Sequence, residues 1–513
     1  MSRIFILLAA GIILAYLAAK AQLPERSPAA FLFILSFAVA ALFWRESETI
    51  VDASRYFIQA KHLAVYGAGY FLREWGRDIP AWTDMPLIPF LYGLIFAFFG
   101  EARIYIQIFT TSLFSLTIVA TYFLGKELWG KEVGIYAGLS LLSMPYILSQ
   151  APLMLVDVPT MFLLTLSVYT SIMALKHGRL WVPASSFSLF LAFFSKYSAW
   201  LMLSGIVIIF FVYIVQESGN RRKTILFRGF AVAFISSLFI GIVLWYKFDV
   251  FSEQIRFLIT YQKPGLKRWG ESFLSTFFFQ AHPFITIAAL YATYRAFRKK
   301  DLKYAIAIWP VLLILVFQIK RIRYTMPVFP MFALMAAYGF NELGDKKTGQ
   351  FAALCAMACS LVVAVFAYLP LVEKMSSANI KSAGEFLDTL GADTCEVFVL
   401  PLEDPVLNSA VSVPLLDIFT KKTIRYDYHP PSRPTREERE KSPLRFTWEY
   451  RNPAYYRPAP AGKYSPAVVI ISDKPGRGFP AAARERIKNL PAVKDFSLSD
   501  DLFISQILVT VYY

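Results

Sequence analysis

The chain has 513 residues, 57% of them hydrophobic and only 17% charged, with a mean hydropathy of +0.49, a balance that excludes an ordinary soluble globular protein and turns apolar surface toward lipid. Its net charge of +16 is spread over short loops between apolar runs rather than gathered in one stripe, so the charge reads as a membrane-topology signal and not as a nucleic-acid footprint. Three cysteines give no disulfide framework, because Cys355 and Cys359 lie one turn apart in an apolar helix and Cys395 has no obvious mate, and no zinc motif is present.

In chain order, apolar runs of the length that crosses a hydrocarbon core of roughly 30 Å alternate with short polar breaks. Backbone groups in lipid must be satisfied within their own segment, so each run is expected to be a helix. The predicted spans are 3–19, 29–44, 104–124, 133–149, 157–175, 182–195, 197–216, 229–247, 274–294, 304–318, 324–340 and 351–370, about twelve transmembrane helices in all. The first has a lone basic residue ahead of it and ends on Ala19, Lys20 and Ala21, so it reads as either a retained span or a cleavable signal.

Lys and Arg mark one alternating set of loops: Lys126/Lys131, Lys176/Arg179, Arg221/Arg222/Lys223/Arg228, Arg295/Arg298/Lys299/Lys300/Lys303 and Lys346/Lys347. Those loops are expected in the cytoplasm. Segments 45–103, 150–156 and 248–273, and everything after 370, then face outward. The expected arrangement is a multi-pass protein of the plasma (inner) membrane with an extracytoplasmic catalytic loop and C-terminal domain.

The segment 45–103 is too long for a plain connector, and its amphipathic stretches Asp52–Tyr66 and Pro86–Phe99 read as interfacial helices. After Pro370 the pattern becomes soluble, with a helix expected at Ile380–Leu390, strands at Cys395–Leu400 and Ala467–Ser472, and a basic helix at Ala481–Leu490. The expected domains are therefore a membrane domain, 1–370, and a small α/β domain, 371–513. Between the halves of the latter, Tyr426–Pro466 carries eight prolines and many charges, the composition of a long surface loop.

Ionisable groups near membrane depth are costly and mark function by default. Three outward carboxylates stand out: Asp52 at the start of an amphipathic stretch, Asp84 before Met85 and Pro86, and Asp157 in LeuValAspValPro. Asp157 also suits a plain helix cap. Several cations break the loop bias: Lys196 between two apolar runs, Lys263, Lys267 and Arg268 in an outer loop, and Lys320, Arg321 and Arg323 before a span. Outward cations at the bilayer either snorkel to headgroups or hold an anion. His282, in AlaHisPro at an outer helix end, is a lone histidine, a type that more often packs than ligates.

The series of short motifs resembles the GT-C membrane glycosyltransferases, nearest to the dolichyl-phosphate-mannose protein mannosyltransferases and the lipid A aminoarabinose transferases. It runs through AspAlaSerArgTyr at 52–56, MetProLeu at 85–87, PheGlyGlu at 99–101, TyrPheLeuGlyLysGluLeuTrpGly at 122–130, LeuValAspValPro at 155–159, PheSerLysTyr at 194–197 and ArgTyrThrMetProValPhePro at 323–330. Each motif is weak alone, but the order holds over about 300 residues. Ala53 stands where the family commonly has Glu, Asp84 where it has Lys or His, and Gln107 where it has Arg.

The resemblance implies a sugar donor on a polyprenyl phosphate, a membrane-lipid setting and an acceptor that is protein, lipid or glycan. It further implies an inverting transfer with the catalytic pair Asp52, as general base, and Asp157, as an orienting or second acidic group. Tyr56 and Asp84 are then substrate-positioning residues. Lys196, Arg321 and Arg323, with Lys263, Lys267 and Arg268, bind the donor phosphate. It leaves a divalent metal open, with His282 in the region where some relatives bind one. Two rival classes are a polytopic transporter, which needs broken polar helices at the midplane, and a non-catalytic glycan-assembly protein, which needs no Asp52/Asp157 pair.

Overall fold

The computed structural model describes residues 2–20, 26–82, 84–262, 271–401, 407–427, 435, 442, 444–457, 467–475, 478–499 and 506–513. Six of the described helices are long and apolar enough to cross a membrane: Pro28–Arg45, Arg103–Trp129, Asp157–His177, Tyr197–Gln216, Gly219–Tyr246 and Lys346–Val372. Shorter apolar helices, Phe5–Lys20, Leu87–Phe99, Trp181–Phe193 and Tyr304–Val316, complete the bundle with Pro283–Lys299 and Phe329–Asn341. Large apolar side chains such as Trp245, 87% exposed, point away from the protein, which is stable only against lipid.

Helices approach where small residues let their backbones meet. Gly125 and Gly134 face each other across the Arg103–Trp129 and Lys131–Leu142 pair, where an added Cβ on Gly125 would sit 2.7 Å from the Gly134 Cα. Gly339 packs so tightly on the Pro283–Lys299 helix that a Cβ there would overlap the Ala288 carbonyl. Hydroxyl pairs add polar links between Asp157–His177 and Trp181–Phe193, Ser171 to Ser185 at 2.9 Å and Thr170 to Ser188 at 2.7 Å.

Several predicted spans prove to be interrupted. The stretch 133–149 is a helix Lys131–Leu142, a break at Ser143 and Met144, and a turn Pro145–Gln150. Likewise, 274–294 splits at His282 into Ser275–Ala281 and Pro283–Lys299, and 324–340 opens with the short turns Ile322–Thr325 and Met326–Val328 before Phe329–Asn341. The breaks follow Pro145, Pro283 and Pro327, whose missing N–H and fixed φ start helices rather than continue them.

The segment 45–103 forms the helices Ile50–Tyr66, Ala68–Glu74 and Leu87–Phe99, close to the predicted amphipathic stretches. The C-terminal part is a five-stranded sheet, with β1 Thr394–Val399, β2 Thr423–Arg425, β3 Ala467–Ser472, β4 Ala492–Phe496 and β5 Leu508–Tyr512 in the order β2-β1-β3-β5-β4. β1 lies parallel to β2 and β3, whereas β5 is antiparallel to β3 and β4. Alternation along β3 sends Val468 and Ile470 toward Ala483 of the Ala481–Ile487 helix, and Val469 and Ile471 into the core shared with Ile380 and Leu387 of Ser377–Leu387. Most of the Tyr426–Pro466 stretch, expected as a surface loop, lies outside the described residues.

This domain seats on the Ile50–Tyr66 helix. Ser54 Oγ donates to the Val411 carbonyl at 2.6 Å, and Lys61 Nζ donates to Glu101 at 2.7 Å and to Asp417 at 2.6 Å. Tyr456 OH also donates to Asp417 Oδ2, at 2.5 Å. Asp417 is nearly sealed from solvent, so its charge depends on Lys61. Lys61→Ala should destabilise the docked domain by about 3 kcal/mol, the usual cost of orphaning one partner of a buried pair. Faster proteolysis of the C-terminal domain in detergent, against wild type, is the expected result.

Candidate functional site

One end of the bundle gathers carboxylates and cations from five segments that are far apart in sequence. Asp52 lies in the first turn of Ile50–Tyr66 and Asp157 is the first residue of Asp157–His177. Lys196 occupies the extended residue between Phe193 and Tyr197 where two predicted spans part, and Arg323 sits in the turn Ile322–Thr325. Arg323 joins them: Nη1 pairs with Asp52 Oδ2, and Nη2 donates to Asp157 Oδ2 at 2.6 Å. Lys196 Nζ pairs with the other oxygen, Asp157 Oδ1, and lies 4.7 Å from the centre of the Tyr324 ring. Asp157 thus spends both oxygens on side-chain cations and does not cap its helix.

A second arm runs from Asp52 Oδ1 to Arg55 Nη2 at 3.0 Å and from the same nitrogen to Asp84 Oδ1 at 3.0 Å. Tyr56 OH donates to Asp84 Oδ1 at 3.3 Å, and Arg55 Nη1 donates to the Trp82 carbonyl at 3.3 Å. Arg55 was not singled out in the sequence, although an acid and a base at i and i+3 of one helix signal such a pair. Arg321 stacks its guanidinium over Tyr324, 5.6 Å from the ring centre, and adds positive potential at Asp52. Tyr56 and Asp84 therefore join the predicted cluster, as do Lys196, Arg321 and Arg323. Lys263, Lys267 and Arg268 lie outside the described residues.

Neighbouring bonds fix these groups. Glu48, buried and bonded to Arg103 Nε at 2.7 Å, accepts the Met154 N–H at 2.9 Å, and Tyr92 OH donates to the Leu155 carbonyl at 2.6 Å. Together they hold the loop that leads into Asp157. Glu271 accepts the Ile322 N–H at 2.5 Å and anchors the turn that carries Arg323. Gln107, one of the departures from the family pattern, donates to the Trp44 carbonyl at 2.9 Å beside Arg103.

Burial alone would raise the Asp52 carboxyl, but Arg323, Arg55 and Arg321 outweigh it and hold the group well below the usual carboxylate range. Asp84 goes the other way. Burial pushes it up to about 7 against the pull of Arg55, with the negative charge of Asp52 adding to the rise. The side chains of Asp52, Lys196 and Arg323 keep 15–20% of their surface open, so an incoming anion can compete with the carboxylates for the cations. His282 Nδ1 accepts the Phe284 N–H at 3.2 Å, which makes it a helix cap, and among the described residues no group of three His, Cys, Asp or Glu could hold a metal.

Residues 80–245 match the family model for dolichyl-phosphate-mannose-protein mannosyltransferase, about a third of the chain. The crystal structure of ArnT from Cupriavidus metallidurans in the apo state superposes with a TM-score of 0.56 at 13% identity, covering 93% of this chain and 97% of that one. The same protein bound to undecaprenyl phosphate gives 0.56 at 13% identity, over 95% and 98%. Archaeal oligosaccharyltransferase AglB from Archaeoglobus fulgidus, in complex with an inhibitory peptide and a dolichol-phosphate, gives 0.47 at 11% identity over 77% and 64%. No curated protein matches by sequence. The chain thus shares its overall fold with ArnT, a bundle of apolar helices joined here to a small C-terminal sheet domain.

The opposed shifts of the two carboxyls have a consequence for stability. Folded Asp84 keeps its proton up to about 7, whereas an unfolded aspartate releases it near 3.9, so its contribution is fully present below about pH 4 and lost as pH rises through 7. Asp84→Asn should therefore raise the melting temperature by a few degrees at pH 8 and leave it unchanged or lower at pH 5. Thermal unfolding of the purified protein at the two pH values checks the sign.

Proposed function

We propose that the chain transfers a sugar from a polyprenyl-phosphate donor to an acceptor hydroxyl at the outer face of the plasma membrane, with inversion at the anomeric carbon. The observation that carries this reading is Arg323, held between Asp52 and Asp157 beside Lys196 at the outer end of the bundle. A site for a lipid-linked sugar phosphate needs cations at the membrane surface and a carboxylate within reach of the attacking hydroxyl. This cluster supplies both. The fold shared with a protein seen bound to undecaprenyl phosphate supports the same donor class.

In this mechanism the donor phosphate takes over part of the coordination of Lys196, Arg323 and Arg321, which stabilise it as leaving group. As Arg323 turns to the phosphate, Asp52 loses its main counter-charge and becomes a better base. The acceptor oxygen then attacks the anomeric carbon, its proton passes to Asp52, and the bond from that carbon to the phosphate oxygen breaks with both electrons on the polyprenyl phosphate. Asp157 keeps Arg323 and Lys196 aligned, and Arg55, itself held by Asp84 and Tyr56, fixes Asp52 from the other side. Residues 1–370 form the catalytic membrane domain, and 371–513 an extracytoplasmic domain that covers the Asp52 helix.

Asp52→Asn should lose at least about a hundredfold in transfer rate at equal membrane abundance, the scale of a general base. Arg323→Lys should lose donor affinity and rate together, since an ammonium cannot bridge two carboxylates and a phosphate as a guanidinium does. Assays of transfer against donor concentration in both variants check the roles. Membrane sidedness has its own measurement: protease added to intact cells should cut within 426–466, and cleavage that required opened membranes would place the site on the other face.

A further inference from the structure

Asp84 is presented by a strained turn. Trp82, two residues earlier, holds φ +49, a left-handed conformation that costs a bulky residue energy and persists where the surroundings impose it. The turn is pinned by the Asp84 N–H donating to the Ala81 carbonyl at 2.8 Å, by Arg55 on the Trp82 carbonyl, and by the Leu87 N–H on the Phe194 carbonyl at 3.3 Å. That last bond ties it to the segment carrying Lys196 and Tyr197.

Between these two segments lie buried polar atoms that none of the described residues satisfies. Asp84 spends Oδ1 on Arg55 and Tyr56, while Oδ2 is buried and finds no partner. The Tyr197 hydroxyl is also buried without a partner and lies within electrostatic range of Asp84, as does the Lys196 ammonium. An unsatisfied acceptor and an unsatisfied hydroxyl are costly when sealed away, and a ligand hydroxyl that met both would relieve that cost. Snorkelling or headgroup contact does not account for them, because neither atom reaches the surface.

We propose that Asp84 Oδ2 and the Tyr197 hydroxyl form a recognition subsite for the ring hydroxyl next to the phosphate-bearing carbon of the donor sugar. The inference rests on the glycosyl-transfer reading above and adds the selectivity of the same site. Lys196 fixes the geometry: it binds the phosphate, the sugar is joined to that phosphate through its anomeric carbon, and the adjacent hydroxyl is the polar group a short reach away. Asp84 accepts from that hydroxyl and Tyr197 donates to it, which fills both vacancies at once. A carboxyl balanced near neutrality suits such a neutral partner better than a fixed anion would.

The test compares short-chain polyprenyl phosphates carrying glucose or galactose with their 2-deoxy counterparts, for wild type, Tyr197→Phe and Asp84→Ala, alongside binding of polyprenyl phosphate without sugar. Wild type should prefer its hydroxylated donor by tenfold or more in kcat/KM. Tyr197→Phe, which removes only an unbonded oxygen and should fold normally, should lose about tenfold on that donor and nothing on the deoxy one. Asp84→Ala should erase the preference. Tyr197→Phe should bind the bare phosphate lipid as wild type does. Equal losses on all donors and on the bare lipid would make the two residues structural, and unchanged discrimination in Tyr197→Phe would also overturn the subsite while leaving transfer intact. A wild type that transferred none of these sugars and failed to bind polyprenyl phosphate would instead overturn the transfer reading, and the subsite with it.

Discussion

The interaction on which the site end of the molecule depends is the double contact of Arg323 with Asp52 and Asp157. Asp157 is fully buried at the head of a membrane helix, and a carboxylate there is tolerated only if a cation meets it. Arg323 and Lys196 supply that cation from two other helix ends. In doing so they draw the Ile50–Tyr66 helix, the Asp157 helix and the turn before Phe329 to one point. A buried ion cluster of this kind contributes little net stability, since desolvation consumes most of the Coulomb gain. What it contributes is position: three segments that could each slide along the bundle are held in one register.

The same cluster explains why the soluble domain docks where it does. The helix that carries Asp52 on one turn carries Ser54 and Lys61 on later ones, and these two bind Val411 and Asp417 of the C-terminal domain. One helix therefore reads the membrane-level charges at its start and the soluble domain along its length. Both docking residues lie within about two and a half turns of Asp52 on that helix.

Much of the fold was legible because lipid imposes strong rules. Apolar runs gave the membrane helices, the change of pattern after Pro370 announced the sheet, and β1 and β3 were placed to within a residue. The interruptions at Ser143 and His282 were harder to see, because periodicity and hydropathy do not change there and only Pro145 and Pro283 mark them. At the site, the expected acids and cations could be nominated one by one from their depth, but not their pairing. Lys196 and Arg321 carry the same signal as Arg323, and nothing local says that Arg323 takes both carboxylates. Arg55 is legible only from its i,i+3 spacing to Asp52, a signal that many solvated helix pairs share.

Asp84 shows what replacing one residue does to such a cluster. The family pattern commonly places a cation at this position, which would bring the region more positive charge; here a carboxylate stands beside Arg55 and within range of Asp52. The like charge of Asp52 and the burial of the turn raise its proton affinity, so the cluster answers the added acid mainly by protonating it rather than by recruiting another cation. The positive potential at Lys196 and Arg323 is thereby kept for an anion, while the position gains a group able to accept and, when protonated, to donate a hydrogen bond. A lysine ammonium there only donates, whereas an aspartic acid near neutrality can accept or donate, which is the property the proposed sugar subsite draws on.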